Sequence, residues 1–227
     1  MLGPRVRFWI TRAILIIASV CFIGERANAQ IPGQESNGGS KPDRRYDKGP
    51  LGEADFQGKA PAEDELAGKP YQAFLVMDIL WSSQYRTTGR GRSMSAFLTQ
   101  FEAIAVSNPS KSWNHGGKKN ADLLDHEQGH FDITQIHAQR LEIKIRKLLA
   151  AKNPPGGKGE SEAAAVASLN GLLEKEYLAA KKASDDENVE YDKLTTHGSG
   201  LEKQRELRHV HEETLKKLAA ELKAIRK

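Results

Sequence analysis

An α+β fold is predicted, a small antiparallel sheet packed against one long helix and two further helices. Three observations predict it. Residues Tyr71–Arg86 and Ser93–Val106 are apolar, aromatic and β-branched, the composition of strands. Leu124, Phe131, Ala138, Leu141, Ile145 and Leu148 recur at three- and four-residue steps, which gives a helix one buried stripe. Residues 162–183 are rich in Ala, Leu, Glu and Lys, which are strong helix formers, and a last helix is expected over about 201–225.

The chain opens on an address. Arg5, Arg7 and Arg12 are followed by an apolar run from Ala13 to Ile23 and by Ala27-Asn28-Ala29, a small-x-small cleavage pattern. Residues 1–29 are therefore expected to be a signal peptide, with the mature chain starting at Gln30. A retained anchor is the alternative, but eleven apolar residues span only about 16 Å as a helix, against a bilayer core near 30 Å. Val20 before Cys21 argues against a lipoprotein site, which wants a small residue there. Residues 30–50, rich in Gly, Pro, Ser and charge, read as a disordered linker. A single domain is expected over 51–227.

Within that domain, Thr87-Thr88-Gly89-Arg90-Gly91 reads as the loop between two strands. The second strand is ambiguous, because Phe97, Phe101 and Ile104 also fit a helical period. Asn120 or Asp122 can cap the long helix, and Asn153-Pro154-Pro155-Gly156-Gly157 ends it near Ala151. The second helix is expected over 162–183, followed by a polar non-helical segment from Ser184 to Gly200.

The charge balance excludes one class of partner. The chain has 34 Lys+Arg against 30 Asp+Glu, but residues 1–29 hold four arginines and one glutamate. A mature chain is left nearly neutral, which removes the support for a nucleic-acid partner. Cys21, the only cysteine, leaves with the signal, so any metal site must use His, Asp and Glu. The expected location is secreted or periplasmic, with no stable membrane insertion after cleavage.

The chemistry sits in His126-Glu127-Gln128-Gly129-His130. Histidines four apart on a helix project from one face, so both imidazoles can reach one tetrahedral zinc ion (Zn2+). Glu127, turned by about 100° from His126, can meet a water without ligating the metal. This is the His-Glu-x-x-His pattern of zinc peptidases, in which the glutamate is the general base. Two surface histidines that happen to stand four apart are the competing reading. The helical setting argues against it, as does Gly129, which costs a helix about 1 kcal/mol relative to Ala and suggests close approach by another element.

A catalytic zinc needs a third protein ligand and an open fourth position. His137 is about 10 Å along the axis from His130, too far to share the ion. Ile133 and Ile136 occupy the positions where an extended three-histidine signature would continue. His209 and His211 read as solvated surface, and His115 lies in a Gly/Lys-rich loop. His197, in the non-helical segment before the last helix, is the best candidate, although a loop histidine with no partner fits the residues equally well. A fourth protein ligand would close the site, and Asp132, Glu187, Glu190 and Asp192 are the carboxylates available for that. Tyr191 could donate to an oxyanion.

Leu123-Leu124-Asp125-His126-Glu127-Gln128-Gly129-His130-Phe131-Asp132 resembles the hallmark of a bacterial family catalogued as domain of unknown function nine-two-two, whose members are described as secreted zinc-dependent proteases. The similarity extends upstream to Leu51, Asp55-Phe56-Gln57-Gly58-Lys59 and Ser112-Trp113. Downstream it takes in Tyr191-Asp192, Thr196-His197-Gly198 and Gln204, so it covers about residues 51–215. Where the family pattern often has a tryptophan a few residues after the glutamine, this chain has Leu207 and Arg208, so the last helix is expected to pack differently. The resemblance implies a zincin-like arrangement, His126 and His130 as zinc ligands, Glu127 as base and His197 as third ligand.

The function so expected is a secreted zinc-dependent metallohydrolase, a peptidase acting on protein or peptide substrates. The alternatives are a non-catalytic zinc-stabilised module that binds an envelope partner, and a helical scaffold without metal.

Overall fold

The computed structural model describes residues 8–11, 43–62, 72–115, 121–151 and 154–225. In chain order these form β1 (Phe8–Thr11), β2 (Arg44–Arg45), β3 (Ala73–Phe74), β4 (Met77–Arg90), β5 (Ser93–Ser107), β6 (Trp113–Asn114), α1 (Ala121–Leu149), β7 (Gly156–Gly159), α2 (Glu162–Thr195) and α3 (Leu201–Ile225). The fold is α+β, an antiparallel sheet against three helices. The cleavage site after Ala29 and the capping residue Asn120 lie outside the described residues.

A long hairpin is the base of the sheet. β4 and β5 pair from Met77↔Ser107 to Arg90↔Ser93, so the turn is the Gly91-Arg92 pair and Thr87–Arg90 of the expected loop are strand. Gln84 faces Gln100 but Tyr85 faces Leu98, which leaves Thr99 as an extra residue, a β-bulge. The bulge explains the ambiguous period of β5. Ala96 and Leu98 are buried before it, and Phe101, Ala103 and Ala105 after it, so the inward parity switches midway and strict alternation is lost.

β1 pairs with β4, while β2 and β7 pair with opposite ends of the far edge of β5. Between them, the edge amides of Ala103 and Ala105 donate to Glu142 Oε2 (3.2 Å) and Gln135 Oε1 (2.8 Å) of α1. Leu98 donates to the Pro155 carbonyl at 3.0 Å. The helix thus does for this edge what a neighbouring strand would do, and it fixes α1 in rotation as well as position.

Residues 43–50, assigned from their composition to the linker, are folded. Arg44 bonds the carbonyls of Gly49 (2.8 Å) and Pro50 (2.6 Å) and pairs with Asp55 at 2.8 Å. Tyr46 packs on Phe131 and donates to Asp132 Oδ1 at 2.8 Å. These long-range polar contacts carry no apolar signature in the sequence.

α1 crosses the sheet and is covered on its other flanks by α2 and α3. Ile79, Trp81, Tyr85, Leu98 and Phe101 of the hairpin pack against Ala138, Leu141 and Ile145 of α1 and Leu169, Leu173 and Tyr177 of α2. A smaller cluster joins Leu51, Leu75, Ala105 and Phe131 nearer the N-terminal half of α1. Leu148, expected in the stripe, is exposed.

α2 is longer than the sequence suggests. Ser161 caps it by accepting from the Ala164 amide at 3.1 Å, and Thr87 donates to Glu162 at 3.0 Å. The helix then runs without a break to Thr195, through the segment expected to be non-helical. Residues 184–195 are polar on most sides, yet Ser184, Tyr191 and Thr195 are buried against α1. Tertiary packing sets the helix here, not its own apolar pattern.

Candidate metal centre

The first half of the centre comes from α1. His126 and His130 lie one turn apart with ring centroids 4.7 Å from each other, and their Nε2 atoms approach to 3.1 Å. The second half comes from the last turns of α2. Asp192 Oδ1 lies 3.1 Å from His126 Nε2 and 3.1 Å from His130 Nε2. His130 faces Asn188 and His126 faces Thr195, so the two helices run antiparallel here. The donor atoms of His126, His130 and Asp192 all lie within 4.8 Å of one another, and this group could hold a metal ion.

Two imidazole nitrogens and a carboxylate oxygen gathered so closely need a hydrogen or a cation among them. The electrostatics follow from that. Burial alone raises the Asp192 carboxyl, but the two imidazoles that face it, His126 and His130, outweigh burial and hold the group far below the usual carboxylate range. Burial disfavours charge on His130, yet Asp192 and Glu127 together keep its imidazole above the ordinary value. His126 is pushed down, by burial first, although Asp192 beside it opposes the shift. Two imidazoles and a carboxylate are a donor set that suits zinc and its first-row neighbours.

Glu127 is 4% exposed, and burial pushes its carboxyl up to about 7. His130 opposes that rise and Asp192 adds to it. A carboxyl that changes charge near neutral pH is matched to proton transfer.

Gly129 has its explanation here. A Cβ at that position would collide with the hydroxyl of Tyr191, whose ring lies flat on His126 (5.1 Å, 16°) and edge-on to His130 (5.0 Å, 82°). The Tyr191 hydroxyl is buried against the helix without a hydrogen-bond partner among the described residues, so it packs the two helices together and is not presented to a substrate carbonyl.

His197 borders the group without joining it. Its Nδ1 is 3.6 Å from Asp192 Oδ1, and its side chain is 34% exposed, like that of Asp192 at 32%. His126 and His130 are 3% and 8% exposed, so solvent meets the centre on the Asp192–His197 side. The turn that carries His197 is unusual. Thr196 and His197 both have φ of 50°, and Gly198 has φ of 86°, with the position of a Cβ on Gly198 3.1 Å from the His126 ring. A β-branched residue in the left-handed region is strained, and such strain collects at functional sites.

The other histidines fall elsewhere. His137 bonds Glu187 at 2.7 Å, away from the three donors. His115 and His209 are exposed. His211, expected on the surface, is 6% exposed and packs against Tyr191 with ring centroids 5.6 Å apart, because α3 turns this face toward α1 and α2. Arg208 bonds Asp125 at 3.1 Å and also Asp132, strapping α3 to α1. Asn188 and Thr195 were not legible as site residues. The clue is the four-residue spacing of Asn188 and Asp192, which mirrors that of His126 and His130 once the segment is read as helix.

Comparison of the chain with protein families, with curated proteins and with solved structures gave no match.

Proposed function

We propose that this chain is a zinc-dependent hydrolase exported to the periplasm or beyond, and that its substrates are proteins or peptides. The convergence of His126, His130 and Asp192, with Glu127 buried beside them, carries the reading. His197 stays in the proposed ligand set, next to Asp192 and not in its place. It is far more exposed than the two α1 histidines and lies against the carboxylate, so it would be the ligand most easily displaced by water or substrate. Zinc held there polarises a carbonyl and acidifies water. Glu127 takes the proton of the attacking water and returns it to the departing amine nitrogen. No helix among the described residues is long and apolar enough to cross a membrane.

A second reading is supported by the burial of both histidines. A zinc closed by His126, His130, Asp192 and His197 would be structural, and the chain would be a zinc-stabilised binding module. One experiment separates the two. Elemental analysis of the purified chain should give one zinc per molecule. Hydrolysis of a mixed peptide library, read by mass spectrometry, should fall by roughly 10²–10⁴-fold in Glu127→Gln with zinc retained. A zinc-bound wild type that cleaves nothing supports the module, and a chain that binds no zinc refutes both.

A further inference from the structure

The hydrogen bonds behind the two histidines determine which nitrogen of each carries hydrogen. Asn188 Nδ2 lies 3.0 Å from the Ser184 carbonyl oxygen and 3.4 Å from its hydroxyl. A carbonyl only accepts, so that end of the Asn188 amide must be its NH2 group. The other end, Oδ1, faces His130 Nδ1 at 2.8 Å. An amide oxygen also only accepts, so His130 Nδ1 carries the hydrogen. Ser184 is itself placed, buried at 1% exposure beside Thr134, whose hydroxyl bonds the His130 carbonyl at 3.1 Å. The amide is thus held at both ends.

Thr195 acts likewise on His126. Its hydroxyl has a single hydrogen, which goes to the Tyr191 carbonyl oxygen at 2.7 Å. What it turns to His126 Nδ1, at 3.5 Å, is a lone pair. This contact is long, and its hold on the ring is correspondingly weaker than that of Asn188.

We propose that Asn188 and Thr195 are positioning residues that hold both imidazoles with hydrogen on Nδ1, so that each Nε2 turns its lone pair to the point facing Asp192. The ion then meets rings already in the ligating tautomer, and Asn188 strengthens the basicity of His130 as an acceptor behind a ligating imidazole does. This assignment deepens the zinc reading and rests on it for its consequence, but the tautomers themselves do not depend on zinc.

The test uses nitrogen-labelled full-length chain and NMR of the histidine rings, without metal and with zinc added. Above the histidine titration range, both rings should show hydrogen on Nδ1 and a bare Nε2. Asn188→Leu should let the His130 hydrogen move to Nε2 and weaken zinc binding by about 10–100-fold. Asn188→Asp, which keeps an acceptor at the same place, should restore the tautomer and bring zinc affinity to within a few-fold of wild type. Thr195→Val should act on His126 in the same sense and more weakly, and Thr195→Ser should not. Hydrogen on Nε2 of His130 in the wild type would overturn the proposal, as would an Asn188→Leu chain with unchanged tautomer and affinity. If the tautomers are as stated but no zinc binds, the zinc reading fails and the assignment of Asn188 stands.

Discussion

The phenol of Tyr191 fills the space that a side chain at position 129 would need, and Gly129 is what allows it. Its ring lies on both His126 and His130, so this one contact sets the distance between the two helices that supply the centre. Gly129→Ala therefore runs against the usual trend. Alanine ordinarily gains about 1 kcal/mol in a helix. Here overpacking opposes that gain by about 1–3 kcal/mol, so a net loss of stability is expected in a denaturant titration. Gly171 in α2 has open space around it, and Gly171→Ala should stabilise by about 0.5–1 kcal/mol.

The ligand set predicts a graded response. His126→Ala, His130→Ala and Asp192→Asn should each abolish tight zinc binding, because each leaves only two of the three clustered donors and the exposed His197 cannot make up the loss. His197→Ala should weaken it by roughly ten-fold, about 1.4 kcal/mol. Competition with a chromophoric chelator measures all four. A His197→Ala loss as large as that of His126→Ala would make His197 an equal ligand.

Arg208 should matter for stability more than its place late in the chain suggests. Asp132 is 2% exposed and accepts from Tyr46 and Gln128 as well as from Arg208. Removing the cation leaves a buried charge uncompensated, so Arg208→Leu should lower the unfolding free energy by about 3–5 kcal/mol. Arg208→Leu with Asp132→Asn should recover part of it. Urea unfolding of the three variants checks this.

A pH signature is expected away from the centre. The hydrogen bond from His137 is the largest cause holding the Glu187 carboxyl below its ordinary value of 4.5. A depressed carboxyl stabilises the fold above its unfolded value, and that contribution is lost as pH falls through the folded one. Wild type should thus exceed Glu187→Gln in stability at neutral pH, and the gap should close below about pH 4. Glu187 is half-exposed, so solvent screening limits the gap to about 1 kcal/mol or less. Thermal melts of both chains across this range give the answer, and a constant gap would contradict it.

The α1 half of the centre was legible because helix geometry maps a four-residue spacing directly onto one face. His126, Glu127 and His130 needed no tertiary information, and Gly129 announced a neighbour by its misfit in a helix. The α2 half was obscured. Ser184 to Thr195 has no apolar period, and its helix is held by what it packs against, so Asp192 could only be named as one of several carboxylates. The parity change at Thr99 and the burial of His211 were hidden for a related reason. Each depends on where another element lies, which one segment's pattern does not encode.

The unbroken course of α2 has a consequence for assembly. At 34 residues it is a rod of about 50 Å, with Glu162 tied to the hairpin at one end and Asp192 at the other. No local loop closure can bring the carboxylate to the imidazoles. The carboxylate is placed by the seating of α2 on α1 and the sheet. If the proposed zinc binds, its ligands come together only once α2 is seated on α1, so damage at the distant hairpin should weaken binding without any change near the ligands. A fragment that ends before α2 would bind metal no better than a pair of imidazoles on a peptide.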